Sequence, residues 1–363
     1  MAGRKKKSAG RMPLWLYVLI VVAIALVTYF RTSGEAEAGD PQPPAASAAA
    51  QQTPADETLT VRFLDVGQGD SILLACGDET MLIDGGPVEE GQFLVSRLNR
   101  LDVAELTYVI NTHPDEDHCG GLAAVLAKYP AEHVYSSVTE YTTKVFSNVV
   151  KYADEQGHPV EVPQTGDSWT LGSASVQVIG PVQMYSDPNN GSLVLRVDYG
   201  GTSFLFTGDM EQKAEADLMA SGANVQADVL KAGHHGSPTS SSEAFLEAVA
   251  PSIAVISVGE ENDYGHPSAD VLARLEALGA AIYRTDTQGE IIITSDGQTL
   301  TVTTDPTSRE PAAGKDAPFI GNRNSMIVHS ANCAKLPGED NRVYFNTAEE
   351  AEEYGYQKHT CIK

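Results

Sequence analysis

The chain has 363 residues, 42% of them hydrophobic, with 24 basic against 49 acidic side chains and a formal charge of −25. This length favours two domains plus tails, with enough apolar side chain for a sizeable core. The charge excludes long-range attraction of nucleic acid, so a polyanionic substrate must be held by local cations. Four cysteines exclude a dense disulfide framework.

The first 31 residues carry six basic groups (Arg4, Lys5, Lys6, Lys7, Arg11, Arg31) and no acid. Within them, "LWLYVLIVVAIALVTYF" (residues 14–30) is an uncharged stretch that would span about 25 Å as a helix, the short end for a membrane crossing. The preceding basic cluster favours a cytoplasmic N-terminus, and hence a single-pass anchor in residues 1–31 with the bulk of the chain extracellular. A cleaved signal peptide, with Ala36 and Ala38 near the cleavage point, is the alternative and would make the chain secreted. Residues 32–57, rich in Ala, Pro, Gly, Ser and Gln, read as a disordered spacer.

From Leu59 the pattern changes to apolar runs of strand length: "LTVRFLDV", "SILLACG", "TMLIDGG" and "LTYVINTH". Helical patterns follow at 123–128 and 143–156. "SLVLRVDYGGTSFLFTGD" reads as a hairpin turning at Gly200 and Gly201. "ADVLKAGHHGS", "SIAVISVG" and "AIYRTDTQGEIIITSDGQTLTVTT" add strands, with helices expected at 241–250 and 268–278. Hairpins mixed with βα units suggest an α/β domain of two sheets with helices outside, over residues 58–304. Residues 305–318 form a second linker, and 319–363 a small module.

Chemistry concentrates in "NTHPDEDHCGG", where the buried strand 106–110 runs into two histidines and three acids within six residues. Carboxylates so close repel one another and lose hydration when covered. The H-x-D-x-D-H pattern of His113, Asp115, Asp117 and His118 resolves the repulsion if divalent cations sit among them. An acidic surface loop is the alternative. Three further strands end in candidate ligands or supports: Asp84 in "MLIDGG", Asp209 in "FLFTGD", and His234 with His235 in "VLKAGHHGS". Strand ends are where α/β folds build sites.

Together, "DVGQGDS", "LIDGG", "THPDEDHCGG", "NNGSLVLRV", "LFTGD", "LKAGHHGSPTS", "YGHPS" and "TDTQGEIII" resemble the metallo-β-lactamase fold superfamily, and within it the hydrolase domain of the ComEC family of DNA-uptake proteins. The resemblance covers about 59–304. It implies an αββα metallo-β-lactamase sandwich, here preceded by one transmembrane helix and followed by a small α+β module. It also implies a two-metal site between the sheets. His113 and Asp115 would hold one metal, Asp117, His118 and His235 the second, and Asp209 would bridge. Zinc members of the superfamily carry histidine where Asp115 stands and another near Asn190. The oxygen-rich first site therefore suits Mn²⁺, with Zn²⁺ the other candidate.

Several residues are assigned supporting parts. Asp84 would orient the His113 loop or simply form a turn. Asp65 and Asp70 could line the pocket floor. Asn190, His234, Ser237, Thr239 and Ser240 would contact substrate, Ser240 opening the next helix so that its N-terminus helps cradle a phosphate. His266 would be a general acid or phosphate donor. Asp117, His266 and Asp84 thus form the catalytic set, with a metal-activated water attacking a phosphodiester, DNA being the expected substrate. The alternatives are a carbon-ester, lactone or β-lactam hydrolase and a non-catalytic binding module.

The closing module resembles the small metal-binding domain of the Ada DNA-repair family through "GNRNS", "HSANC", "NRVYF" and "EEAEEYGY". His329, Cys333, His359 and Cys361 are either a structural Zn²⁺ site or the surroundings of a Cys333–Cys361 disulfide.

Overall fold

The computed structural model describes residues 57–309, 317–322 and 324–362. The expected anchor, most of the spacer and part of the second linker lie outside them. Among the described residues, no helix is long and apolar enough to cross a membrane.

Fourteen strands build the large domain: β1 (Leu59–Phe63), β2 (Ile72–Cys76), β3 (Glu79–Ile83), β4 (Leu106–Asn111), β5 (Ala131–Ser136), β6 (Ser168–Leu171), β7 (Ala174–Gly180), β8 (Val194–Tyr199), β9 (Thr202–Phe206), β10 (Val229–Lys231), β11 (Ile253–Ile256), β12 (Ala281–Arg284), β13 (Glu290–Ser295) and β14 (Leu300–Asp305). They form two seven-stranded sheets, ordered β14-β13-β1-β2-β3-β4-β5 and β12-β11-β10-β9-β8-β7-β6.

Period-two side-chain alternation sends Val61, Phe63, Leu74 and Ile110 from the first sheet against Val178, Leu195, Phe204 and Phe206 from the second. A second core lies where the helices Gly91–Arg100 and Lys144–Gln156 cover the first sheet, through Leu94, Leu98, Phe146 and Val149. A third lies under Gln212–Ser221, Glu243–Val249 and Ala269–Ala277 on the second sheet, through Leu218, Phe245, Leu246 and Leu275. The result is four layers, αββα.

Local chemistry sets the element ends. Thr143 caps Lys144–Gln156 by accepting from Phe146 N, and Gly157 closes that helix at φ +81°. The helix expected from 241 starts at Glu243, because Ser242 is its cap and Ser241 sits at φ +53°. The apolar run 281–295 is not one strand: the short helix Thr285–Gln288 interrupts it. The β6–β7 hairpin has clear alternation in "SWTLGSASVQVIG", although the sequence reading placed no strand there.

The small module is a four-stranded sheet of β15 (Phe319–Asn322), β16 (Ile327–Ser330), β17 (Arg342–Phe345) and β18 (Gln357–Lys358), ordered β17-β15-β16-β18 around Val328 and Phe345. It rests on the helix Gly91–Arg100, where Arg100 lies 4.1 Å over the Tyr354 ring and donates to its hydroxyl at 2.6 Å.

Candidate metal centre

β3 and β4 run parallel, as do β9, β10 and β11, so the chain leaves each sheet through loops gathered at one end. Those loops carry Asp84, residues 113–118, Asp209 and His234–His235. The "GQGD" turn after β1 joins them. A Cβ at Gly69 (φ +142°) would strike Asp117 O, so glycine permits the close approach, and Asp70 N donates to Asp117 O at 3.1 Å. Backbone strain collects here: Asp84, His234 and His235 all have φ between +51° and +57°.

The imidazoles converge on Asp209. Its Oδ1 lies 3.2 Å from His118 Nε2, and its Oδ2 lies 3.5 Å from His235 Nε2, 3.6 Å from His234 Nε2 and 4.0 Å from His113 Nε2. Asp117 Oδ2 is 3.2 Å from His235 Nε2, and Asp115 Oδ2 is 3.7 Å from His113 Nε2. The Nε2 atoms of His113, His118 and His235, and Oδ1 of Asp209, are buried without a hydrogen-bond partner. Orphaned buried polar atoms are destabilising unless something absent satisfies them.

The outer nitrogens are all tied. His118 Nδ1 meets Asp84 Oδ2 at 2.8 Å, and His235 Nδ1 meets Ser257 O at 2.9 Å. His113 Nδ1 meets Thr112 Oγ1 at 3.1 Å, and that hydroxyl donates to Asp84 Oδ2 at 2.7 Å. Protons held on Nδ1 leave three Nε2 lone pairs facing Asp209, which is the arrangement a cation requires. Asp84 also accepts from Thr112 N at 2.7 Å, so one carboxylate braces both ends of the His113–His118 loop. The donor set fits divalent cations: Asp209 faces His113, His118, His234 and His235 together, with Asp115 beside His113 and Asp117 beside His235.

Two residues beneath the cluster received no ligand or charge-balancing part from the sequence. Asp70, considered only for the pocket floor, lies with His118, Asp209 and His235 in one buried group whose ligand atoms are all within 4.8 Å of each other. Its Oδ1 is 3.4 Å from His235 Nδ1, while Oδ2 pairs closely with the fully buried ammonium of Lys231. Asp70 thus approaches His235 from its outer nitrogen and acts as a support. Lys231 also donates to Gly208 O at 3.1 Å and lies 3.8 Å from Asp209 Oδ1. The signal was legible: a lysine closing the apolar strand "VLK" is buried only when paired.

At the mouth, Glu211 was also overlooked. It accepts from Asn190 Nδ2 at 3.2 Å and from Thr239 Oγ1 at 2.7 Å, and lies 3.5 Å from His234 Nδ1. Asn190 is nearly buried, donates also to Asp187 and accepts from Ala214 N, so its amide is committed to holding loops. Ser240 does not open the next helix; it is buried and donates to Met210 O, because the cap belongs to Ser242. Ser237 and Thr239 share a 2.9 Å hydroxyl contact. His234 and His266 remain at the entrance, their rings 5.5 Å apart, and His266 Nδ1 has no partner.

Burial and the surrounding carboxylates compete to set the protonation of the cluster. Burial and the neighbouring His118 hold His113 down at about 3. Burial also disfavours a charged His118, but Asp209, Asp84 and Asp117 outweigh it and raise that ring well above its ordinary value. His235 is raised to about 9, against burial, by Asp209, Asp117 and Asp70. Without metal, protons therefore occupy the inner positions of His118 and His235.

A pH dependence follows. Raised histidines stabilise the fold fully below about pH 6.5, and this contribution is lost as pH rises through about 9. The metal-free chain should lose up to roughly 3 kcal/mol over this window from His235 alone. Because a cation replaces those protons, the metal-loaded chain should not show the loss. Thermal unfolding with and without chelator from pH 6 to 9.5 checks this. A metal-free midpoint that stays level or rises would contradict it.

In the small module, His329 Nδ1 is 3.4 Å from Cys333 Sγ, which is 3.8 Å from His359 Nδ1. With Cys361, all four ligand atoms lie within 4.8 Å of one another. Both cysteines are free thiols.

Comparison with known proteins matches residues 64–260 to the metallo-beta-lactamase superfamily. Among curated relatives, ComE operon protein 3 of Bacillus subtilis is 32% identical over 252 residues, covering 64% of this chain and 32% of that protein. Competence protein ComA of Neisseria gonorrhoeae is 35% identical over 239 residues, covering 65% and 32%. Recombination protein 2 of Haemophilus influenzae is 31% identical over 241 residues, covering 64% and 28%. The matched region spans about a third of the length of these relatives. With the four-layer fold and the convergent His/Asp cluster, the match shows that the chain belongs to the metallo-beta-lactamase superfamily.

Proposed function

We propose that the chain is a two-cation phosphodiesterase that cleaves DNA strands outside the cytoplasm, held at the membrane by residues 14–30. The observation that carries this reading is the charge of the centre. With the histidines neutral, as cation binding requires, Asp70, Asp84, Asp115, Asp117 and Asp209 set against the one ammonium of Lys231 leave a formal −4 that two divalent cations would cancel. The relatives named a competence protein and a recombination protein support a nucleic-acid substrate.

When bound, two such cations acidify a water and withdraw charge from a phosphoryl oxygen. The chain's own groups position the rest. Asp209 turns Oδ1 toward His118 and Oδ2 toward His113, His234 and His235. Asp84 and Ser257 O hold the protons of His118 and His235 on their outer nitrogens. His266, kept neutral by burial and by His234 with a pKa of about 4, stands beside His234, where its imidazole would meet a substrate oxygen as a hydrogen-bonding group. The acidic surface is reconciled with DNA if each phosphodiester is engaged at the cations rather than along a basic face.

Incubating the chain with plasmid, single-stranded DNA, RNA, cyclic dinucleotides, a chromogenic carbon ester and a β-lactam tests the proposal. Cleavage of phosphodiesters supports it; turnover of the ester or lactam alone sinks it.

The oxygen-rich half around Asp115 favours Mn²⁺ over Zn²⁺ for turnover. Asp115→His should move the optimum toward Zn²⁺, measured by restoring activity to stripped protein with each ion. An unchanged preference would remove Asp115 from the ligand set.

In the small module, four donors from two segments, His329 with Cys333 and His359 with Cys361, suit a tetrahedral Zn²⁺. We expect about one zinc per chain that is lost in Cys333→Ser, and no Cys333–Cys361 crosslinked peptide in non-reducing mass spectrometry. Recovery of that peptide would replace the zinc site with a disulfide.

A further inference from the structure

A groove of about 580 Å³ opens beside the His113–Asp115 half of the centre. Pro114, between those two ligands, forms part of its wall, as does Gly191, next to Asn190. The opposite walls come from residues 137–141, 162–165 and 181–188, bringing Val138, Tyr141, Met184 and Tyr185 to the space. No lysine or arginine lines it. Its one acid, Asp187, is engaged by Asn190 Nδ2 at 3.2 Å.

The described residues expose five large hydrophobic side chains, and two of them, Met184 at 98% and Val162 at 39%, are on this groove. Tyr185 is a fixed wall: its hydroxyl donates to Asp217 Oδ2 at 2.9 Å, and the Lys213 ammonium sits 4.4 Å from its ring centroid. Apolar surface left in water beside a chemical centre marks a ligand site.

Without a cation, the groove has nothing to hold a phosphate. Apolar and aromatic walls instead suit an uncharged, flat group, and in a phosphodiester the group beside the reacting phosphate that fits this description is a nucleobase. We infer that the groove seats the base of the nucleoside flanking the scissile phosphate. The inference rests on the phosphodiesterase reading and deepens it. A base inside a duplex cannot enter such a groove without unstacking, whereas a base in a single strand can. The preferred substrate is therefore single-stranded.

The test is calorimetric binding of thymidine 5′-monophosphate and of inorganic phosphate to the full-length, Mn²⁺-loaded chain. Stacking on protein contributes ~1–3 kcal/mol per base, so the nucleotide should bind at least about fivefold tighter than phosphate. Val138→Trp, which fills the groove, should remove most of that advantage and leave phosphate affinity and metal content unchanged. Met184→Ala, at a fully exposed position that tolerates truncation, should reduce the advantage about two- to fivefold. If phosphate binds but the nucleotide has no advantage, or keeps it fully in both variants, the groove assignment is overturned while the phosphodiesterase reading stands. If neither ligand binds the metal-loaded chain, the phosphodiesterase reading fails and the groove assignment falls with it.

Discussion

Asp209→Ala should abolish hydrolysis, by about a thousandfold or more, and lower bound metal while the fold survives. Asp209 is the one carboxylate within 4.0 Å of His113, His118, His234 and His235, so its loss removes a donor from both halves of the centre. Charge stabilisation of several kcal/mol by bound cations corresponds to such a factor. The fold should persist because the imidazoles left behind can give up their protons, unlike a buried lysine. The large cores on either side of the sheets do not include this residue. Metal content, circular dichroism and turnover, measured on one preparation, separate these effects. Activity within a few-fold of the parent would refute the bridging assignment. Asp117→Ala, which removes a donor from one half only, should reduce activity and metal content less.

Lys231→Met should act through stability. Its ammonium is fully buried, pairs with Asp70 and Asp209, and donates to Gly208 O. Burial opposes its charge, but Asp70 and then Asp209 keep it charged and raise its pKa. Burial likewise opposes ionisation of Asp70, which Lys231 nevertheless holds down at about 2. Removing one member of a buried pair leaves the other uncompensated and costs about 3–5 kcal/mol. That corresponds to a fall on the order of 10 °C in the unfolding midpoint for a domain of this size. Adding Asp70→Asn should recover most of the loss, because the stranded charge is then gone. A loss below about 1 kcal/mol, or a double variant no better than the single, would show that the pair carries little of the centre's stability.

The sequence made the strand-and-loop frame of the site legible. Buried strands read as apolar runs, and the ligands follow their ends: Asn111 before His113, Phe206 before Asp209, Lys231 before His235. The helix Thr285–Gln288 was hidden because its flanks are β-branched on both sides, and only Gly289 at φ +69° breaks the chain locally. Asp70 and Lys231 are about 160 positions apart, so their pairing is created by packing of the two sheets and leaves no local pattern. The same holds for Glu211, which joins Asn190, Thr239 and His234. Ser240 and Ser242 are equivalent as letters; only the backbone at Ser241 decides which one caps the helix.

The central claim is that two cations held by His113, Asp115, Asp117, His118, Asp209 and His235 carry phosphodiester cleavage. The most direct measurement is titration of Mn²⁺ into metal-stripped full-length chain, following cleavage of a single-stranded oligonucleotide and the bound metal together, with zinc in the small module counted separately through Cys333→Ser. The expected result is no cleavage without metal and activity that saturates as two equivalents fill the large domain. Full activity at one equivalent, or undiminished cleavage in excess chelator with no bound metal, would contradict it.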